Sequence, residues 1–336
     1  MANNNFDPAR VIYTPDEVAA LAKERVEYIQ SNAHRTLKFF IPGLDDYIAP
    51  LLPGEQCMVI AQTSNYKSSF AESWEFCAAK QLELEGRADE IIIHVSTEES
   101  VEQQAFRLLA REMGASTGDI SRGKITNWKD FTIASIKVGN VSIYRIGHSL
   151  MRPKDLPRLH MSNVIKALDY LQNKLTQQKL KFAGIFFDYL QAFPFDDAVK
   201  RASLVDQRRL QVREDIYRMF DCGIYFDCPT VTLSQAKQTL DGAISKDMYI
   251  PGIYDGSEAK ETADRPDRVL SLWMPKTMHP VNTWLKFGST EYPVLENLLW
   301  IKACKQRGGL PAGRVFPCLI DYDTNRILQW DKFPNN

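Results

Sequence analysis

A chain of 336 residues with 44% hydrophobic and 25% charged residues is long enough to bury a sizeable core and has the make-up of an ordinary globular protein rather than a disordered or membrane one. Its formal net charge of -1 gives no global basic field, so any contact with nucleic acid must come from a local patch or a pore lined by several copies. No apolar run approaches the length that spans a bilayer, residues 1–10 lack the apolar stretch of a signal peptide, and the six cysteines lack zinc-knuckle or redox-pair spacing, so they read as buried thiols of a cytoplasmic protein.

Residues 1 to about 13 read as an unstructured tail. Thr14-Pro15-Asp16-Glu17 then combines an N-cap, a proline at the first helical position and a capping-box glutamate, so a helix begins there. Val18, Leu21, Val26 and Ile29 mark its apolar face. That face packs either on its own domain or on a neighbouring copy, and periodicity does not separate the two. Tail, helix and the polar connector Ser31 to Arg35 make a first segment, residues 1–35; residues 36–336 read as one α/β domain.

From Gln56 the pattern alternates between short apolar runs and helices. Cys57 to Ala61 predicts a strand, followed by a polar loop and a helix through about Glu85. Glu90 to Val95 predicts the next strand, and Ser100 to about Met113 a helix. Val141 to Tyr144 is a short strand, Met161 to Leu180 a helix, and Phe182 to Phe187 the most apolar strand, with Asp188 at its end. Arg208 to Phe220 predicts a helix, and Thr230 to Leu233 and Arg268 to Trp273 two strands. Continuous apolar strands alternating with helices specify a mostly parallel sheet covered on both faces. Leu298 to Trp330 reads instead as an antiparallel extension with turns at Gly308-Gly309 and Asp323-Thr324-Asn325.

Ligands of open α/β sheets sit outside the carboxyl ends of strands. After the first strand comes Ala61-Gln62-Thr63-Ser64-Asn65-Tyr66-Lys67-Ser68-Ser69, opening a helix. A phosphate-binding loop needs backbone N–H groups at a helix start, a lysine to neutralise charge and a hydroxyl for Mg²⁺, and Lys67 and Ser68 stand where those roles require. Tyr66 departs from the pattern, because a glycine usually precedes the lysine in a conformation that costs a residue with a Cβ roughly 1–2 kcal/mol. The second strand ends in Ser96-Thr97-Glu98-Glu99, where a carboxylate can polarise an attacking water. Glu99 and Glu102 are equally explained as acids favoured by a helix N-terminus. Asp188 ends the central-looking strand as a metal-organising acid would, and Ser234-Gln235 offers a neutral pair to sense a γ-phosphate.

The order Lys67-Ser68, Glu98, Asp188, Gln235 at four strand ends resembles the RecA-like ATPases. Ile41-Pro42-Gly43-Leu44, Ala61 at the loop start, Ser96-Thr97-Glu98-Glu99-Ser100 with Gln103 and Arg107, Asp188-Tyr189-Leu190-Gln191, Leu233-Ser234-Gln235 and Lys305-Gln306-Arg307-Gly308 narrow the resemblance to the motor domain of DnaB-type ring helicases. KaiC- or RadA-like ATPases share the fold but match the last motif less well.

The resemblance covers about residues 36–330. It implies a RecA-like twisted sheet that binds ATP and Mg²⁺ through Ala61, Ser64, Asn65, Tyr66, Lys67, Ser68 and Ser69. It implies Glu98, Asp188 and Gln235 as catalytic groups, Ser68 and Asp188 toward the metal, and Lys305 and Arg307 as a lysine and arginine finger reaching a neighbour's nucleotide. It further implies a homo-oligomer, a hexameric ring or filament, acting on single-stranded DNA as a helicase or translocase. The family's primase-interacting domain has no counterpart in these residues, so primase binding is not expected. Between Gln235 and Asp267 the family carries DNA-contacting loop residues including an arginine, whereas Gly256 to Thr262 has none, leaving Lys237, Lys246 and Lys260 as substitutes. Tyr66 and this loop favour the alternative, an ATP-binding assembly module with slow or no turnover.

Overall fold

The computed structural model describes residues 12–152, 159–194, 204–236, 250–255, 264–287, 290–307 and 312–330. The expected unstructured tail, apart from its last two residues, the Gly308-Gly309 turn, the 256–262 stretch and Lys237, Lys246 and Lys260 lie outside them.

Six strands run parallel: β1 (Gln56–Ala61), β2 (Glu90–Ser96), β3 (Ile143–Ile146), β4 (Lys181–Asp188), β5 (Thr230–Gln235) and β6 (Arg268–Trp273). Three more, β9 (Leu298–Gln306), β10 (Val315–Asp321) and β11 (Arg326–Gln329), extend the same sheet antiparallel beyond β6. The order is β11-β10-β9-β6-β1-β5-β4-β2-β3, and β7 (Trp284–Phe287) with β8 (Thr290–Pro293) forms a separate two-stranded sheet.

Alternation along the strands explains the two-layer core. In β1, Cys57, Val59 and Ala61 face one layer, and Met58 and Ile60 the other. The first layer is closed by α3 (Lys67–Leu84), which buries Phe70, Trp74 and Ala78 against Phe186 of β4. The second is closed by α7 (Met161–Thr176) and α8 (Leu204–Tyr225), through Val164, Leu168, Val212 and Ile216. A register shift between β2 and β4 lets Phe182 and Phe187 face the second layer while Phe186 faces the first. With both faces covered, these strands need continuous apolar runs, which is why the sequence displays them.

The helix at Thr14 forms as its capping box predicts: α1 (Pro15–Ser31) has Thr14 accepting from the Glu17 amide and Glu17 reaching back to the Thr14 amide. It buries none of its residues, and Val18, Leu21 and Val26 are exposed. Its last turn is tied down, with the Tyr28 hydroxyl and Arg35 both bonded to Asp227. The short α2 (Pro42–Asp45) leads into β1.

α4 (Val101–Met113) also starts in a capping box, Ser100 with Gln103. Two helices absent from the sequence reading follow, α5 (Thr117–Ser121) and α6 (Trp128–Gly139); they pack on α4 around Leu109, Ile120 and Ala134. Because α6 runs to Gly139, β3 begins at Ile143, two residues later than Val141. Of the six cysteines, none is in a disulfide; Cys57, Cys222, Cys228 and Cys318 are buried, and Cys77 and Cys304 partly so. No helix among the described residues is long and apolar enough to cross a membrane.

Candidate functional site

The parallel register sets the site. Ala61 pairs with Gln235 across β1 and β5, and Ser96 with Asp188 across β2 and β4, so four strand ends converge on one edge. They surround an open cleft of about 250 Å³ lined by Ala61, Ser64, Tyr66, Lys67, Ser68, Ser69, Glu98 and Gln235, with Gln62, Thr63, Glu99 and Tyr189.

The loop between β1 and α3 turns through two left-handed residues, Ser64 at φ 64° and Tyr66 at φ 63°, before Lys67 opens the helix. The conformation glycine normally supplies is therefore adopted here by a tyrosine. Its hydroxyl is engaged away from Lys67, donating to Asn325 Oδ1. Burial pushes the phenol pKa up, so the group stays a donor. Asn65 does not line the cleft: it is 1% exposed, its Oδ1 accepts the Met274 amide at 2.7 Å, and it pins the loop to the end of β6.

Lys67 Nζ lies 3.5 Å from the centre of the Tyr189 ring. Burial pulls its pKa down to about 8, against the pull of Asp188 and Glu98 in the other direction. Asp188 is 1% exposed, and its Oδ1 is buried without a hydrogen-bond partner. An unpartnered buried carboxylate oxygen is costly unless something outside the chain satisfies it. A hydrated divalent cation beside Ser68 is a group that would, so the residues present fit Mg²⁺.

Glu98 and Glu99 are separated by their partners. Arg107 Nη2 bonds Glu72 Oε1 at 2.6 Å, and the same guanidinium engages both oxygens of Glu99. Glu99 is thus committed to a structural ion network that its position at a helix start does not reveal. Glu98 faces the cleft, and burial, then the neighbouring Asp188, raise its pKa. Gln235 Nε2 donates to Thr63 Oγ1 at 2.6 Å, and its amide donates to Gln191 Oε1 at 2.9 Å, so Thr63, Tyr189 and Gln191 join the site as residues the sequence reading gave no role. Tyr189 and Gln191 sit inside the Asp188-Tyr189-Leu190-Gln191 run, the available signal for them.

Lys305 and Arg307 are elsewhere. β9 runs antiparallel to β6, pairing Lys305 with Val269 and Gln306 with Arg268, at the edge where the parallel strands begin. A strand of this length separates the two edges by about 15–20 Å, beyond the reach of either side chain. Both cations rest on the Asp264 carbonyl, Lys305 Nζ at 2.7 Å and Arg307 Nη2 at 2.9 Å, and Arg307 also meets Asp267 at 3.3 Å. The Arg307 side chain is 53% exposed. Burial and the adjacent Arg307 lower the pKa of Lys305.

A mostly parallel sheet wrapped by helices, with its cleft at the strand carboxyl ends, defines a doubly wound α/β class of fold. No protein-family model and no curated protein matches the chain in sequence. Solved structures do match. One, an ATPase domain, superposes with a TM-score of 0.68 at 15% identity, over 95% of this chain and 100% of that one. A DnaB-like replicative helicase, described with its interactions with primase, superposes with a TM-score of 0.69 at 15% identity, over 94% of this chain and 68% of that one. The chain has the RecA-like fold of DnaB-type helicase ATPase domains, with its antiparallel extension at the carboxyl end.

Proposed function

We propose that the chain is an ATP-dependent oligomeric motor on single-stranded nucleic acid, of helicase or translocase type, hydrolysing ATP at interfaces between copies. The observation that carries this reading is the division of the machinery. Lys67, Ser68, Glu98, Asp188 and Gln235 converge on one sheet edge, while Lys305 and Arg307 are presented at the other.

In this reading the amides of residues 64–69 and the Lys67 ammonium bind the β- and γ-phosphates. Ser68 Oγ and Asp188 Oδ1, the latter through water, would hold Mg²⁺, which neutralises charge on the phosphates when bound. Glu98 accepts a proton from a water whose oxygen attacks the γ-phosphorus. The bond from that phosphorus to the β–γ bridging oxygen breaks, leaving ADP and inorganic phosphate. Gln235, steadied by Thr63 and Gln191, contacts the γ-phosphate. Arg307 and Lys305 of a neighbouring copy supply positive charge to the phosphoryl group in transit. The exposed apolar face of α1 supports its docking on that neighbour.

The second reading, an ATP-binding assembly module with slow or no turnover, is favoured by the tyrosine in the glycine position and by the arginine-free sequence of residues 256–262. A steady-state ATPase assay with and without single-stranded DNA separates the two. Turnover stimulated by the strand supports the motor; tight Mg·ATP binding with no turnover supports the module. An absence of nucleotide affinity even at millimolar ATP, or wild-type affinity in Lys67→Ala, contradicts both.

A further inference from the structure

Beside the phosphate loop, two non-glycine residues in the left-handed conformation meet through their side chains. Tyr66 has φ 63° and Asn325 φ 52°. The Tyr66 hydroxyl donates to Asn325 Oδ1, and Asn325 Nδ2 donates to the Ser69 carbonyl at 3.2 Å. Asn325 lies in the turn between β10 and β11, where side chains are usually solvated, yet it is 7% exposed. The Tyr66 ring meets Tyr322 of the same turn edge-on, with centroids 6.2 Å apart. The hairpin is itself anchored, because Gln329 Oε1 accepts the Gly43 amide at 2.6 Å. Glycine holds a left-handed conformation without support, whereas a tyrosine there relaxes toward negative φ unless its side chain is restrained.

We propose that Tyr66 and Asn325 form a tether through which the β10–β11 hairpin sets the phosphate loop. The hydroxyl-to-amide bond replaces the conformational freedom of the missing glycine and holds residue 66 where the amides that follow face the anion. Tyr66 is a positioning residue, and its ring stays on the hairpin when nucleotide binds. The inference rests on the ATP reading of this cleft, but the tether also acts in the nucleotide-free protein, where it can be read separately.

The test uses the full chain and compares wild type with Tyr66→Phe, Asn325→Gly, Tyr66→Gly and the double variant Tyr66→Gly/Asn325→Gly. Tyr66→Phe keeps the ring contact, and Asn325→Gly keeps the left-handed turn, so both preserve the fold. Two quantities are measured: amide hydrogen exchange over residues 62–70 without nucleotide, and Mg·ATP affinity by calorimetry. Tyr66→Phe and Asn325→Gly each speed exchange in the loop and weaken affinity about five- to tenfold, the value of one lost hydrogen bond. In the Tyr66→Gly background, Asn325→Gly produces a smaller loss of affinity than in wild type, because glycine needs no tether and only the Asn325 bond to the Ser69 carbonyl is given up. An equal loss in both backgrounds, or unchanged exchange and affinity in Tyr66→Phe, overturns the proposal. Faster loop exchange in the variants, with no Mg·ATP affinity in any protein including wild type, supports the tether and overturns the ATP reading instead.

Discussion

The two edges of the central sheet are built on different terms. At the carboxyl edge of β1, β2, β4 and β5, Asp188 is buried with an unpartnered oxygen and the half-buried Lys67 has a depressed pKa, while Thr63, Ser64 and Glu98 are exposed to the cleft. At the opposite edge, Lys305 and Arg307 rest on a backbone carbonyl and one acidic side chain, with Arg307 half exposed. The first edge holds partly desolvated charge around an open cleft; the second keeps Arg307 within reach of solvent and of another molecule. Under the proposed function, this difference means that one copy would hold the phosphate side of a site and the finger side of a different one.

The largest expected effect breaks the comparison at its exposed edge. Arg307→Ala lowers turnover by roughly 10³–10⁵-fold, the range of arginine fingers, while Mg·ATP affinity and thermal stability stay near wild type. A concurrent loss of stability would make Arg307 part of the fold through its Asp267 contact. Next, Glu98→Gln retains nucleotide binding and loses about 10²–10⁴-fold in hydrolysis, as expected for a general base. Glu99→Gln removes a partner from Arg107 and so shows in thermal denaturation before it shows in turnover. The reverse ranking in single-turnover assays would transfer the base to Glu99.

A smaller effect follows from Lys67, whose pKa near 8 leaves it charged at pH 7 and mostly neutral at pH 9. Only the charged amine neutralises phosphate, so Mg·ATP affinity is full below that value and falls as pH rises through it, by roughly tenfold per unit at the limit. Bound phosphate raises the pKa, so binding near pH 8 takes up protons, which calorimetry in buffers of different ionisation enthalpy detects. Flat affinity from pH 7 to 9 would place Lys67 away from the phosphates. The smallest effect on the folded copy comes from Leu21→Glu on α1: within about 0.5 kcal/mol in stability, since Val18, Leu21 and Val26 are exposed, but with weakened self-association by light scattering.

Much of this was legible from residue pattern. The apolar runs of β1, β2 and β4 can only be strands covered on both faces, and the Thr14 capping box fixed one helix start to the residue. Lys67, Glu98, Asp188 and Gln235 could be placed together because residues at strand carboxyl ends share an edge whatever the strand order. What escaped depends on contacts between segments far apart in sequence. No local pattern links Tyr66 to Asn325, Asn65 to Met274 or Arg107 to Glu72, so the tether, the inward turn of Asn65 and the commitment of Glu99 were invisible. α5 and α6 were missed because they pack on α4 rather than on the sheet, with Trp128, Ile133 and Ile136 exposed and the amphipathic signal blurred.

The central claim is that each ATP site is completed by the opposite edge of another copy. Mixing Lys67→Ala, which has the finger but not the phosphate lysine, with Arg307→Ala, which has the lysine but not the finger, tests it directly. Mixed assemblies contain some interfaces with both residues intact, so ATPase activity absent from either variant alone returns in part on mixing. A mixture that co-assembles yet stays inactive, or a wild-type protein that hydrolyses ATP as a monomer, would contradict the shared site.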